Sequence, residues 1–319
     1  HMKTQTNAYA AVSLFSGAGG MDVGFAKAGF DIVLANDVDK DACETYRRNH
    51  DGRMLEGSLL NFDVKQEVGD RQVDLVFGGP PCQGFSVAGK MDPDDLRSQL
   101  IHSFFDVVDD LQPKAFVCEN VKALAVLTRW QEVRTELLKR SKKDYRVALV
   151  VLNATEFGVP QMRERMFIVG LHKDIFAGTD GDLLALLNEN LRMEQRTAKT
   201  VGDVVRSLGK AGSKTNSRTC AAKITFAKSP ILRRSPYAGM LFNGAGRPLS
   251  SKGWATTLPA SMGGNKTPIV DEAEIFDGKD SFVEAYHSKI FSGGKGKVGE
   301  APRRLRRLTI DECIAIQTF

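Results

Sequence analysis

The sequence lacks the features of membrane, secreted and zinc-binding proteins. No apolar run approaches the roughly 18 residues that a membrane-spanning helix needs, and the first residues, HMKTQTNAYA, contain no apolar segment of a signal peptide. The five cysteines are scattered, without a Cys-x-x-Cys pair or a Cys/His cluster. We therefore expect a reduced, cytoplasmic protein with no membrane segment, no disulfide framework and no bound metal.

The excess of positive charge is small but unevenly distributed. Lys and Arg total 44 against 39 Asp and Glu, a net charge of +5. Basic residues concentrate at 195–266 and again in APRRLRRL (301–308), where acidic residues are few. Such runs fit either solvated faces or a polyanionic partner, and charge alone leaves both interpretations open.

In the first half of the chain, short apolar runs alternate with amphipathic stretches. This alternation predicts an α/β fold with a doubly wound, mostly parallel, Rossmann-like sheet. The predicted strands are 10–15, 31–37, 73–79, 115–120, 145–154 and 166–171, and the predicted helices between them include 21–29, 39–49, 100–111 and 130–140.

The alternation fails after about residue 172. From there to residue 302, Gly, Ser, Thr and Pro are frequent and periodic segments are few. We expect a first domain at 1–172, a second, smaller, loop-rich domain at 173–302, and a return to the first domain at 303–319.

A glycine-rich turn, FSGAGGMDVGF (15–25), follows the first predicted strand and opens a helix. Gly17 and Gly19 would let the backbone turn tightly and approach a ligand. Asp22 stands where a dinucleotide fingerprint has its third glycine, and a carboxylate there disfavours a pyrophosphate but suits the cationic S-adenosylmethionine. Asp37 ends the second strand about twenty residues on, where an acidic residue binds ribose hydroxyls. A turn that serves packing alone is the other interpretation.

Four further candidates lie beside predicted strands, two of them at carboxyl ends. Cys82 follows two prolines in GGPPCQGFS (78–86), at the carboxyl end of a strand, where ligands of open α/β sheets bind. Glu119 ends another strand at the same edge, and Arg163 and Arg165 in QMRER would share one face of an extended chain. Taken singly, each has a plain structural interpretation: a packed thiol, a helix-start carboxylate, a surface pair.

Together these segments resemble a known family. FSGAGG, GGPPCQGFS, ENV (119–121), QMRER (161–165) and RRLTIDECIAIQTF (306–319), in this order, are similar to the signature blocks of the bacterial-type cytosine-C5 DNA methyltransferases. The similarity runs from residue 12 to the last residue, with one variable gap. It implies a target-recognition domain at the variable region and a bracing role for Arg306.

The resemblance assigns catalytic roles to four residues. It implies that the Cys82 thiolate adds to C6 of a flipped-out cytosine, which activates C5 toward the methyl donor. Glu119 would hydrogen-bond to N3 and the exocyclic amine, Arg165 would hold the O2 edge, and Arg163 would support the same pocket.

The resemblance also implies binding residues. The DNA contacts would be made by Gln83, Ser86, Thr257 and Leu258, and the pocket for S-adenosylmethionine would be lined by Phe15, Gly17, Gly19, Asp37, Val38, Ser58 and Leu100. Ser58 departs from the family, which often has Asp at that place, so we expect a modest loss of donor affinity.

The implied function is that of a DNA (cytosine-5-)-methyltransferase, acting on double-stranded DNA in a restriction–modification pair or as a solitary regulator. We expect a nucleoid-associated bacterial monomer that forms no stable complex with a cognate endonuclease. The family's last, Asn-rich block does not follow Phe319. Three explanations stay open: truncation, an omitted tail, or a second polypeptide that supplies it. The alternatives are a DNA-binding protein without transfer activity and a tRNA cytosine-5 methyltransferase.

Overall fold

A computed structural model describes residues 9–81 and 96–319, with side chains described from residue 99 onward in the second range. The chain forms two compact units. The first unit contains the chain up to Leu152 together with Glu164–Met193, and the second contains Asn153–Arg163 and Glu194–Phe319. None of the described helices combines the length and apolarity that crossing a membrane requires.

The first unit is built on a seven-stranded sheet. Its strands lie in the order β3-β2-β1-β4-β5-β8-β6. They are β1 (Tyr9–Leu14), β2 (Phe30–Asp37), β3 (Arg53–Glu56), β4 (Leu75–Gly78), β5 (Ala115–Val121), β6 (Tyr145–Asn153) and β8 (Glu164–His172), while β7 (Gln161–Met162) belongs to the second unit. The predicted Rossmann-like α/β fold is confirmed.

One strand reverses direction. The pairs β1–β2, β1–β4, β2–β3 and β4–β5 are parallel, whereas β8 runs antiparallel to β5. A parallel strand needs a crossover of about a dozen residues or more, usually with a helix, and only a short connection separates β6 from β8. The sheet is therefore mixed at this side.

Helices and apolar clusters cover the sheet on two faces. Successive residues of β4 alternate between two hydrophobic clusters, with Val76 in one and Leu75 and Phe77 in the other. Strands buried on both faces read as continuous apolar runs, which is why the sequence revealed them. The helices of this unit are α1 (Gly20–Lys27), α2 (Lys40–Asn49), α3 (Val64–Val68), α4 (Leu96–Leu111), α5 (Lys122–Val126), α6 (Gln131–Ser141) and α7 (Asp180–Met193).

The second unit is made of short elements and three two-stranded pairs. β9 pairs antiparallel with β10, β12 antiparallel with β13, and β11 parallel with β7. The elements are α8 (Val201–Leu208), β9 (Phe226–Ile231), β10 (Met240–Phe242), β11 (Ala255–Thr256), β12 (Ile269–Asp271), α9 (Glu272–Asp277), α10 (Phe282–Phe291), β13 (Leu305–Arg307) and α11 (Ile310–Gln317).

The end of the chain lies within this second unit. β13 pairs with β12, and Leu308, Cys313 and Ile316 pack with α8 residues in one apolar cluster. These contacts place 303–319 with the second unit, whereas the sequence suggested a return to the first domain. The functional boundaries at residues 172 and 302 stay a prediction.

Arg306 explains why this end is firmly attached. Its guanidinium bonds Glu272 at 2.9 Å and both carboxylate oxygens of Glu312 at 2.7 and 2.8 Å. The fully buried Glu312 also accepts from the Thr309 N–H and the Asn216 amide, each at 2.9 Å. The buried carboxylate thus accepts four hydrogen bonds, which hold α11 in place.

We predict that Arg306→Leu lowers the free energy of unfolding by about 3–5 kcal/mol, because removing one partner leaves a buried carboxylate uncompensated. Urea denaturation followed by circular dichroism measures it. Arg218→Leu is the matched control, since Arg218 pairs with Asp311 from a 54% exposed side chain and should matter far less. Equal losses for the two variants would contradict this interpretation of Arg306.

Candidate active site

The sheet has a topological switch point at β1. The chain passes from β1 to β2 on one side, and β4 pairs with β1 on the other. In open α/β sheets, ligands bind beyond the carboxyl ends of the strands at such a point. The residues that follow β1 and β4, and those that end β5, are therefore the place to look for a site.

The turn after β1 has an unusual backbone. Phe15, Gly17 and Gly19 have φ values of 55°, 56° and 89°. The left-handed conformation is free for glycine but strained for phenylalanine, and such strain concentrates at functional sites. A Cβ at Gly17 would meet no described atom within 4 Å. The turn is thus open on the Gly17 side, where a ligand can approach the backbone.

Asp37 holds this turn against the end of β2. Its Oδ2 accepts the Gly17 N–H at 2.7 Å and its Oδ1 accepts the Asp39 N–H at 2.9 Å. Each carboxylate oxygen has a further lone pair available for a ligand hydroxyl. The neighbouring Val38 is 72% exposed, as an apolar contact for a ligand would be. The predicted ribose contact stays a prediction.

Asp22 does not face this open side. It is completely buried, and its two oxygens accept hydrogen bonds from Ser13 and Tyr46, each at 2.9 Å. Burial raises the pKa of the carboxyl, while the bonds from Tyr46 and Ser13 act to lower it. The argument that this carboxylate repels a pyrophosphate is therefore wrong, because α1 turns it into the core.

Two other predicted pocket residues are placed without a decisive contact. Ser58 precedes a 3₁₀ turn at Leu59–Asn61, and its hydroxyl makes no capping bond to that turn. Leu100 lies half-buried in the first turns of α4. Their predicted roles at the methyl donor stay predictions.

Glu119 and Arg165 form an ion pair at the edge where β5 ends. The Arg165 Nε lies 2.8 Å from the Glu119 Oε1, and both side chains are about one-fifth exposed, at 21% and 20%. The antiparallel register brings them together, because Arg165 lies opposite Val121 at the end of β5. A carboxylate and a guanidinium that both reach solvent here can bind a planar heterocycle through several hydrogen bonds.

The two-proline segment after β4 lies against the same carboxylate. A Cβ at Gly79 would lie 2.7 Å from the Glu119 Oε2, so any other residue here would displace the carboxylate. The amide of Asn120, 2% exposed, donates to the Pro80 carbonyl at 3.2 Å. The sequence analysis missed Asn120, although it is the middle residue of ENV. Cys82, Gln83 and Ser86 follow this segment and lie outside the described residues.

Three of the described cysteines make poor nucleophiles. Burial raises the pKa of the thiols of Cys43, Cys118 and Cys313, that of Cys313 to about 12. Thiols with raised pKa values hold little thiolate near neutral pH. Cys220, the fourth, is half-buried in the second unit, with its sulfur 3.9 Å from the Gly264 carbonyl.

The remaining predicted residues lie in the second unit. Arg163 stands between β7 and β8, outside both strands, so the expected shared face with Arg165 is not formed by one continuous strand. Thr257 follows β11, and its hydroxyl donates to the Met162 carbonyl at 2.8 Å. Leu258 is 6% exposed and belongs to the apolar core of this unit. Its burial argues against a direct DNA contact by that side chain.

Comparisons with known proteins identify the family. The family model described as C-5 cytosine-specific DNA methylase matches residues 9–319. The chain belongs to this family, as the ordered motifs predicted.

Individual relatives agree in name and fold. The type II methyltransferase M.AquIA of Picosynechococcus sp. is 44% identical over 174 residues, 50% of this chain and 70% of the relative. M.FnuDI of Fusobacterium nucleatum is 39% identical over 167 residues, and the match covers 51% of this chain but only 47% of that relative. The structure of S. pombe Dnmt2 methyltransferase has a TM-score of 0.60 at 17% identity, covering 97% of this chain and 85% of that one, a likeness that shows the fold alone.

We predict that Gly79→Ala slows cytosine methylation about 10- to 100-fold. The new methyl group would displace the Glu119 carboxylate, and if that carboxylate acts on the substrate as the resemblance implies, a shift of about 1 Å costs on that order. Initial rates with labelled methyl donor measure it. Gly24→Ala is the matched control: its Cβ would meet no described atom within 4 Å, and it lies in α1. An unchanged rate for the Gly79 variant would show that Glu119 need not hold this position.

Proposed function

We propose that the chain is a DNA (cytosine-5-)-methyltransferase that transfers a methyl group from S-adenosylmethionine to C5 of a flipped-out cytosine in duplex DNA. The observation that carries the proposal is the Glu119–Arg165 pair, 2.8 Å apart, against the segment that leads into Cys82. Family membership supplies the reaction class, and the pair supplies groups that fit the edge of a cytosine.

The residues after β1 and β2 fit S-adenosylmethionine. The open face of Gly17, the Asp37 carboxylate and the exposed Val38 offer backbone, ribose and apolar contacts, and we add Phe15, Gly19, Ser58 and Leu100 to this pocket from the family pattern. When bound, S-adenosylmethionine supplies an electrophilic methyl group on a sulfonium. S-adenosylmethionine carries no phosphate, and the turn FSGAGG accordingly contains no Lys or Arg that would bind one.

The protein's task is to make C5 of cytosine nucleophilic. Addition of the Cys82 thiolate to C6 would break the C5–C6 double bond and move its electrons to C5. C5 would then take the methyl group as the bond from that methyl to the sulfonium sulfur breaks, and S-adenosylhomocysteine would be left as the second product. Glu119 stabilises the ring at N3 and the exocyclic amine, and Arg165 holds O2. Removal of the C5 proton by a base then restores the double bond and expels the thiolate of Cys82. Arg163 supports the pocket.

The second unit supplies the DNA contacts in this proposal. Its basic side chains would bind phosphates, and Thr257 would contact the DNA. From the family pattern we add Gln83 and Ser86 to the DNA-contacting residues. We propose that the protein serves a restriction–modification system or acts as a solitary regulator, as a cytoplasmic, nucleoid-associated monomer without a stable endonuclease complex.

The direct test is to identify the product. We expect that the purified chain, incubated with isotope-labelled S-adenosylmethionine and mixed-sequence plasmid DNA, yields labelled 5-methylcytosine by nucleoside mass spectrometry. N4-methylcytosine or N6-methyladenine would show that the Cys82 chemistry is wrong, and unlabelled DNA would leave a DNA-binding protein without transfer activity.

We predict that Cys82→Ser abolishes transfer while leaving duplex binding within about threefold, because serine is a far weaker nucleophile at neutral pH. Cys220→Ser is the control, since Cys220 lies half-buried in the second unit and should retain full activity. Comparable methylation by the Cys82 variant and the wild type would remove Cys82 from the mechanism.

A further inference from the structure

The carbonyl of Ala18, in the middle of the glycine turn, is held by a histidine that the catalytic proposal does not use. The His50 Nε2 lies 3.1 Å from the Ala18 oxygen. A carbonyl oxygen only accepts hydrogen bonds, so the Nε2 must carry the proton and donate. His50 comes from the end of α2, where its own N–H donates to the Tyr46 carbonyl at 2.9 Å.

The imidazole lies directly beneath the turn. A Cβ at Gly19 would lie 2.2 Å from the His50 Nε2, well inside any tolerated contact. Gly19 also has φ 89°. The glycine therefore serves two needs at once: a left-handed turn and the close approach of the histidine.

The imidazole is itself fixed from below. Its ring stacks on Tyr46 with centroids 4.3 Å apart and planes 25° apart. The Tyr46 hydroxyl donates to Asp22, which also accepts from Ser13, and these three residues are fully buried. A buried carboxylate is costly unless its partners are in place, so this satisfied network strongly favours one arrangement of β1, α1 and α2.

Two consecutive residues of the turn are thus held by side chains from outside it. Asp37 accepts the N–H of Gly17 at 2.7 Å, and His50 donates to the carbonyl of Ala18 at 3.1 Å. The peptide unit between these contacts is part of the face that is open at Gly17. A shift of the Ala18 carbonyl would therefore displace the backbone that a ligand meets.

We propose that His50 is a positioning residue for S-adenosylmethionine binding, acting by holding the Ala18 carbonyl and thereby the glycine turn. The inference rests on the proposed function, since it concerns the same methyl-donor site. His50 takes no part in a chemical step. Replacing it should therefore change the affinity for S-adenosylmethionine and not the rate of the chemical step.

The test compares His50 variants that differ in the position of the side-chain N–H that could bond the Ala18 carbonyl. Glutamine places its amide nitrogen near the position of Nε2, and asparagine places it near Nδ1, too short to reach the carbonyl. We expect that His50→Leu and His50→Asn raise the Kd of S-adenosylhomocysteine about tenfold, roughly 1.4 kcal/mol, and that His50→Gln stays near the wild type. Titration calorimetry without DNA measures this, and the KM for S-adenosylmethionine should follow while kcat changes less than about twofold.

His172→Leu is the matched control. His172 is also a partly buried histidine of the first unit, with its Nε2 3.2 Å from Gln112 and its ring edge-on to Tyr145 at 5.1 Å. It ends β8, at the opposite edge of the sheet from Arg165. The control should bind S-adenosylhomocysteine as the wild type does, even where thermal melting shows a loss of stability.

Each outcome decides between distinct possibilities. Wild-type affinity in His50→Leu, or equal loss in the glutamine and asparagine variants, overturns the positioning role while the methyltransferase proposal stands. If the leucine variant does not fold, the glutamine and asparagine pair still decides. A wild-type protein that binds neither S-adenosylhomocysteine nor S-adenosylmethionine would overturn the proposed cofactor, and the role of His50 with it.

Discussion

The ion pair between Glu119 and Arg165 depends on β8, a strand that breaks the parallel pattern. β5 ends at the ligand edge of the sheet, and a parallel neighbour would have begun at the opposite edge. Because β8 runs antiparallel, its first residues lie beside the last residues of β5. The reversal brings a guanidinium to a carboxylate at 2.8 Å, and the backbone at Gly79 lies against the same carboxylate.

Two glycines, which have no side chain, make room around the ion pair. A Cβ at Gly78 would lie 2.2 Å from the Leu14 carbonyl, and one at Gly79 would lie 2.7 Å from the Glu119 carboxylate. The first glycine lets β4 approach β1, and the second lets the following chain approach Glu119. The Asn120 amide then holds the Pro80 carbonyl. Three features fix the segment that precedes Cys82 in the sequence: the close approach at Gly79, the fixed φ of Pro80, and the hydrogen bond from the Asn120 amide.

The parts predicted well from sequence are those that burial dictates. β1, β2, β4, β5, β6 and β8 are apolar runs because both sheet faces are covered, and their order with helices predicts the fold. β3 was missed because RMLE has charged residues at both ends. The direction of Asp22 was misjudged, since its burial depends on Tyr46, a partner 24 residues along the chain. The pairing of β7 with β11 joins segments more than 90 residues apart, and no local pattern encodes it.

The two arginines of the QMRER motif belong with different strands, which the sequence motif alone does not indicate. Sequence spacing treats Arg163 and Arg165 as equivalent members of one extended segment. In the structure the first compact unit begins again at Glu164, so Arg163 belongs with β7 and Arg165 with β8. The β7 side is held by β11 and by the bond from Thr257 to the Met162 carbonyl, while the β8 side is held by β5. The two arginines thus belong to different compact units, although a single residue separates them in the sequence, and the spacing within QMRER does not encode that division.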